Sequence, residues 1–236
     1  MKFLSRSELL FGNEGLKKLN ESNVLVVGLG GVGSYAAEAL ARAGVGRMTI
    51  VDGDEVVESN INRQLQALHS TIGFKKAELI ADRIRDISPT IELTIVSKFL
   101  NPEDIGDLLT KDYHFVLDCI DSITPKTNII KICKQRQIKF ISSMGAGGKT
   151  DPSLVQITDI EKTKDCYFTR EIRKRLRREK YIYGIKVVYS PEIVSKDKME
   201  MTDGTNYKRS FYGTASYMPA IFGLTMASYV IRKIIS

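Results

Sequence analysis

The segment Val24-Leu-Val-Val-Gly-Leu-Gly-Gly-Val-Gly-Ser34 constrains the fold more than any other part of the chain. Val24 to Val27 have the composition of a strand buried on both faces. Gly28, Gly30 and Gly33 fit Gly-x-Gly-x-x-Gly, and Ala36 to Ala43 read as the helix that follows. A strand that runs through a tight glycine turn into a helix leaves the helix's first N–H groups unpaired at the turn, where they favour a phosphate. Asp52, which ends the next apolar strand Met48 to Val51, is placed to accept hydrogen bonds from ribose hydroxyls.

These features alone fit a nicotinamide-dependent oxidoreductase equally well. The next segment, Ser59-Asn-Ile-Asn-Arg-Gln64, separates the two readings. Attack on the α-phosphorus of a triphosphate, which carries roughly four negative charges, needs cations around the departing pyrophosphate. Arg63 and Lys76 are placed to supply them. Hydride transfer needs neither, and no histidine or other donor stands near the later strand ends in a dehydrogenase pattern. Adenylation is therefore favoured over redox chemistry. Taken singly, Arg63 would by default be a surface ion-pair partner; Asp118 reads as structural and Lys75 as solvated.

Alternation of apolar strands (23–28, 47–52, 91–96, 113–119, 138–143) with amphipathic helices (31–44, 75–88, 101–110, 124–136), after a leading helix over 5–20, predicts an α/β fold. The expected architecture is Rossmann-like and doubly wound, a mostly parallel sheet with an embedded C-terminal extension. One domain over 1–236 is expected, with residues 1–143 as the nucleotide-binding part and 144–236 as a substrate-binding extension and core helix. A hydrophobic share of 43% in 236 residues supports a core of that size. Tyr217 to Ile231 is apolar for 15 residues, with Pro219 suited to a first helical turn. It falls short of the roughly 20 residues of a membrane span and reads as a buried core helix. The polar stretch Ser195 to Arg209 is the candidate for a mobile loop over the site.

Cys119, Cys133 and Cys166 are too few and too scattered for a disulfide framework, and with no signal peptide ahead of the first helix a reducing cytoplasm is expected. No two Cys-x-x-Cys pairs exist, so no tetrahedral zinc site is expected. Cys119 and Cys133 read as core residues. Cys166 precedes a cationic segment that would lower its pKa, although a lone intracellular cysteine is by default inert. His69 and His114 form no metal cluster and are read as structural. Gly148-Lys149-Thr150 lacks the first glycine of a Walker motif, because residue 143 is serine.

Basic charge is concentrated. Between Arg170 and Lys180 lie seven Lys/Arg and two Glu, a balance of +5 in a chain of net charge +7. Phe168, Ile172 and Leu176 recur at helical spacing and would dock one side, leaving Arg170, Arg173, Lys174, Arg177 and Arg178 for a phosphate backbone. A solvated face that merely aids solubility is the alternative.

In order along the chain, Gly-x-Gly-Gly-x-Gly-Ser, Asp-x-Asp, Ser-Asn-x-x-Arg-Gln, Gly-x-x-Lys and Asp-Cys-x-Asp resemble the E1-like ThiF/MoeB/HesA adenylating superfamily. The resemblance implies Gly31, Asn62 and Arg63 at the phosphates, Asp52 at the ribose with Asp54 beside it, and Lys76 and Asp121 completing the set. Asp121 would hold Mg²⁺ on ATP. Arg6, in Phe-Leu-Ser-Arg-Ser-Glu-Leu-Leu, resembles an arginine inserted from a partner subunit.

Within that superfamily, Ser142-Ser-Met-Gly-Ala-Gly-Gly-Lys-Thr-Asp-Pro152, Asp159-Ile-Glu-Lys-Thr163, the basic helix and Val187-Val-Tyr-Ser-Pro-Glu192 look like the tRNA threonylcarbamoyladenosine dehydratase (TcdA/CsdL) family. This implies ATP-dependent adenylation of the threonylcarbamoyl carboxylate on adenosine 37 of tRNA, followed by cyclisation to cyclic t6A. It also implies a homodimer and gives Lys149 either a substrate contact or the role of a surface cation. Some members work with a cysteine desulfurase system, which this sequence does not reveal, and a monovalent cation near the glycine-rich loop has no side-chain ligand set to support it. No DNA partner is expected. The competing functions are adenylation of a ubiquitin-like sulfur-carrier protein, nicotinamide-dependent redox chemistry, and non-catalytic RNA binding on a vestigial nucleotide fold.

Overall fold

The computed structural model describes residues 2–109, 112–201 and 210–236. Five strands come first: β1 (Asn23–Val27), β2 (Arg47–Val51), β3 (Glu92–Val96), β4 (Phe115–Asp118) and β5 (Phe140–Ser143). They lie in the spatial order β3-β2-β1-β4-β5 and are all parallel. Two strands of the C-terminal part, β6 (Gln156–Asp159) and β7 (Lys186–Tyr189), extend the same sheet beyond β5. β7 is parallel to β5 and β6 antiparallel to β7, so the edge is the one reversal in a seven-stranded sheet.

The period-2 alternation of β1 divides the core. Val24 and Val26 face one layer and Leu25 and Val27 the other. The first layer holds α1 (Ser5–Glu21), α2 (Gly33–Arg42), α3 (Lys76–Ile87) and α7 (Met218–Ile235). The second holds α4 (Pro102–Leu108), α5 (Ile123–Gln135) and α6 (Tyr167–Arg178). Strand order reverses between β1 and β4, and the crevice at their carboxyl ends is where an open α/β sheet binds ligands.

Three details depart from the sequence-based expectation. The leading helix is broken at Gly12, whose φ of 69° and ψ of 170° are open only to a residue without a Cβ. β1 ends at Val27 because Gly28 turns out of the sheet at φ 88°. A short antiparallel pair, β8 (Met199–Met201) with β9 (Ser210–Tyr212), occupies part of the expected 195–209 loop, and residues 202–209 of that stretch lie outside the described residues.

The apolar helix α7 is long enough by composition to cross a membrane, yet Met218, Phe222, Met226 and Val230 are buried in the first core layer. Its Gly223 sits against the start of α2: a Cβ there would come within 2.2 Å of the Val32 carbonyl oxygen. Gly223→Ala is expected to lower unfolding stability by about 1–3 kcal/mol in urea titrations, the range for overpacking a close contact. An unchanged midpoint would mean that α7 does not dock this closely.

Candidate active site

The glycine turn is fixed from below and from the side. Gly28 N–H donates to the Val51 carbonyl at 2.8 Å, and a Cβ on Gly33 would lie 1.7 Å from the Gly28 carbonyl oxygen. A side chain at Gly33 is therefore excluded, and β1 passes directly into α2. Asp52, one residue beyond β2, joins this turn to its own: Oδ2 accepts from Leu29 N–H at 2.6 Å and Oδ1 from Asp54 N–H at 2.8 Å. Burial pushes the Asp52 pKa up, against the opposing pull of Lys76 and of the two N–H groups. Each oxygen keeps acceptor capacity for a hydroxyl.

The segment after β2 carries the cations. It closes on itself through Val56 N–H to the Phe74 carbonyl and Gly73 N–H to the Val56 carbonyl, both 2.9 Å. Arg63 donates through Nη1 to the Ser59 carbonyl at 2.7 Å and to Asn62 Oδ1 at 2.8 Å. Desolvation lowers the Arg63 pKa, while the charge of Asp121 raises it. Lys76, the first residue of α3, has a buried side chain whose Nζ lies 2.8 Å from Asp54 Oδ2. Asp121 is exposed just past β4, where a Cβ on Gly28 would be 3.1 Å from the Cys119 carbonyl carbon. The backbone oxygen of Arg63 would likewise be 3.2 Å from a Cβ on Gly31. These links gather Gly28, Gly30, Gly31, Gly33, Asp52, Asp54, Asn62, Arg63, Lys76 and Asp121 around the β1/β4 crevice.

Sequence reasoning missed two contributors. Asn60 is buried, and its carbonyl accepts from the N–H groups of Arg63 (3.1 Å) and Gln64 (3.0 Å), shaping the turn that carries Arg63. Its place in Ser-Asn-x-x-Arg-Gln was the available signal. Gln66, also buried, donates to the Leu29 carbonyl at 2.8 Å and so braces the glycine turn from the cation-bearing segment. Asn62, by contrast, is exposed and donates to the Thr214 carbonyl at 3.0 Å, tying the crevice to the segment before α7.

Residues expected at a nucleic-acid surface divide into two groups. Arg170, Lys174, Arg177 and Arg178 are exposed on α6, while Ile172 and Leu176 are fully buried beneath them. Arg173 is a correction: it is part-buried and donates to the Thr163 carbonyl and, at 3.1 Å, to Thr163 Oγ1, so it anchors α6 instead of facing outward. Lys149 is another. Only 2% exposed, its ammonium donates to the carbonyls of Ser190 (2.8 Å) and Glu192 (2.9 Å). It is therefore not a surface cation, although it also lines the pocket beside this loop. The Glu192 carboxylate accepts from Thr150 N–H and Asp151 N–H, completing a clamp between the two loops. An open pocket of ≈ 410 Å³ lies beside this clamp, lined among others by Gly148, Thr150, Lys198 and Gly213.

Arg6 is exposed near the start of α1. Burial pushes the Cys119 thiol far up and the Cys133 thiol up to about 12, so neither is a ready nucleophile.

The sequence pattern of the ThiF family matches residues 4–236. The chain is 40% identical to a tRNA threonylcarbamoyladenosine dehydratase of Bacillus subtilis, over 98% of this chain and 94% of that protein. A crystal structure of the Escherichia coli tRNA N6-threonylcarbamoyladenosine dehydratase in complex with ATP superposes with a TM-score of 0.89 at 34% identity, covering 99% of this chain and 94% of that one. The AMP complex of the same Escherichia coli enzyme gives 0.88 at 35% identity, over 98% and 92% of the two chains.

Lys149→Met would leave one buried and one part-buried carbonyl without their donor. It is expected to cost about 1–3 kcal/mol in chemical denaturation, against almost nothing for Lys174→Met on the exposed face of α6. Equal, negligible effects would return Lys149 to the surface.

Proposed function

The chain belongs to the ThiF family, and from that premise we propose that it is an ATP-dependent tRNA threonylcarbamoyladenosine dehydratase that forms cyclic t6A through an acyl-adenylate. One observation carries the reading. A phosphate turn, a ribose-side carboxylate and two cations meet at the β1/β4 switch point of a chain that resembles such dehydratases over 98% of its length.

Asp52 receives the ribose hydroxyls, and the turn from Gly30 to Gly33 with the first N–H groups of α2 receives the phosphates. Arg63 and Lys76 then exchange their present acceptors, Ser59, Asn62 and Asp54, for phosphate oxygens. The substrate carboxylate, with a pKa near about 4, is already ionised at neutral pH and attacks the α-phosphorus without a general base. The bond from that phosphorus to the bridging oxygen breaks, and pyrophosphate leaves against the two cations. The carbamoyl portion of the same substrate next attacks the activated carbonyl, AMP departs and the ring closes, with net loss of one water. The route requires no enzyme thioester, which suits the raised pKa values of Cys119 and Cys133.

Mg²⁺ on the phosphates would be held by Asp121 and would neutralise their charge. A single carboxylate plus phosphates is the usual way this ion is bound, and no cluster of three or more acidic, His or Cys ligands exists among the described residues. Phe3, Leu9 and Leu10 are exposed beside Arg6 at the start of the chain, which supports a homodimer in which Arg6 serves the partner's site. The exposed cations of α6 support a tRNA-facing surface formed by residues 144–236. Three free cysteines suit a reducing cytoplasm.

Arg63→Ala is expected to slow pyrophosphate release in the presence of t6A-containing tRNA by about 100-fold, the cost of removing one electrostatic donor, with little change in melting temperature. Undiminished release would remove Arg63 from the chemistry. Replacing Lys174, Arg177 and Arg178 by Gln is expected to flatten the salt dependence of tRNA binding, by about 0.7 in log–log slope for each single-strand phosphate that is no longer neutralised. An unaltered slope would place the RNA elsewhere.

A further inference from the structure

Beneath the crevice lies a polar cluster to which the mechanism above assigns no work. Asp118, Lys126 and Ser142 are each 0% exposed. Lys126 Nζ lies 2.7 Å from Asp118 Oδ2, 3.1 Å from Ser142 Oγ and 3.4 Å from the Asp118 carbonyl, and Ser142 Oγ donates to Asp118 Oδ2 at 2.6 Å. The other carboxylate oxygen, Oδ1, accepts from Ile120 N–H at 3.2 Å. A buried ion pair of this kind contributes little net stability, because desolvating two charges offsets most of their attraction. What a fully satisfied buried network does supply is a unique geometry.

The geometry it sets is that of Asp121. Asp118 is the last residue of β4 and Lys126 lies in the first turn of α5, so the ion pair closes the loop 119–122 at its base. Asp118 grips that loop from inside through Ile120 N–H, one residue before Asp121, while Cys119 N–H is held by the Val27 carbonyl at 2.8 Å. Ser142, on the neighbouring β5 directly opposite Asp118, locks the pair to the sheet. Asp121 is thus carried on a loop braced at both ends and at its middle, close enough to Arg63 for its charge to raise the Arg63 pKa.

We propose that Asp118, Lys126 and Ser142 are positioning residues for adenylation: they fix the loop that presents Asp121 to the metal–phosphate group. This rests on the reading of Asp121 given under the proposed function. Misplacing a catalytic group by about 1 Å can cost on the order of 100-fold in rate, so the network controls kcat without touching the substrate.

The double variant Lys126→Met/Asp118→Val removes both charges together and leaves neither one buried alone. Ser142→Ala is the milder companion should the double variant fail to fold. Two quantities are read: Mg²⁺ dependence of ATP binding by equilibrium titration without tRNA, and kcat with KM for ATP in the t6A-tRNA reaction. In a variant that keeps the wild-type circular dichroism spectrum, the half-saturating Mg²⁺ concentration is expected to rise about 10-fold. Its kcat is expected to fall about 100-fold, with KM for ATP at saturating Mg²⁺ moving less than about 3-fold; Ser142→Ala moves kcat and Mg²⁺ dependence the same way by about 3- to 10-fold. Wild-type Mg²⁺ dependence and kcat in a folded variant would overturn the proposal. A wild-type protein that binds ATP with Mg²⁺ but leaves t6A unchanged would instead defeat the functional reading, and the titration would still judge the network.

Discussion

A single carboxylate, that of Asp52, holds the two βα junctions of the crevice together. It accepts one backbone N–H from the turn after β1 and one from the turn after β2. Gly28 N–H on the Val51 carbonyl and Gln66 on the Leu29 carbonyl reinforce the same junction, and Asp52 adds a charged acceptor that bonds both turns at once. Burial raises the carboxylate's pKa, and Lys76 and two N–H donors around it oppose that desolvation. The group that would hold the ribose is therefore also the one that registers the phosphate turn against the cations.

The cations themselves are preorganised and lightly held. Arg63 rests on a carbonyl and an amide oxygen, neither of them charged, and Lys76 rests on the half-exposed Asp54. A polyphosphate is a better partner than any of these, since charge-assisted bonds to it are stronger than those it displaces. Little rearrangement is then required, which is the condition under which electrostatic stabilisation of a departing pyrophosphate is most effective.

Four of the five parallel strands were legible in the sequence because they are buried almost throughout, while β3, at the edge, is only partly covered and was read from its place in the strand–helix alternation. The crevice was legible for a related reason: Gly28, by its φ, and Gly33, by its contact with the Gly28 carbonyl, have no substitute where β1 meets α2. β6 was not, because Gln156–Asp159 is an antiparallel edge strand with polar residues and partial exposure. β7, although buried at Val187–Tyr189, lies beyond the strand–helix alternation that ends with β5. The role of Lys149 was hidden because its acceptors stand 41 and 43 residues away in sequence, and a lysine in a glycine-rich loop is ordinarily solvated. Arg173 faces outward on a helical wheel, but the wheel omits the Thr163 loop that folds back under it. The break at Gly12 has the same origin, since a glycine inside an amphipathic pattern does not announce its own φ.

The most direct test of the account is the mass of the modified nucleoside after the protein acts on t6A-containing tRNA with ATP and Mg²⁺, with digestion under mild neutral conditions. The adenylation route predicts an ATP-dependent loss of about 18 mass units, one water, from the threonylcarbamoyl nucleoside. An unchanged nucleoside, with pyrophosphate exchange driven instead by the C-terminus of a ubiquitin-like carrier protein, would contradict it.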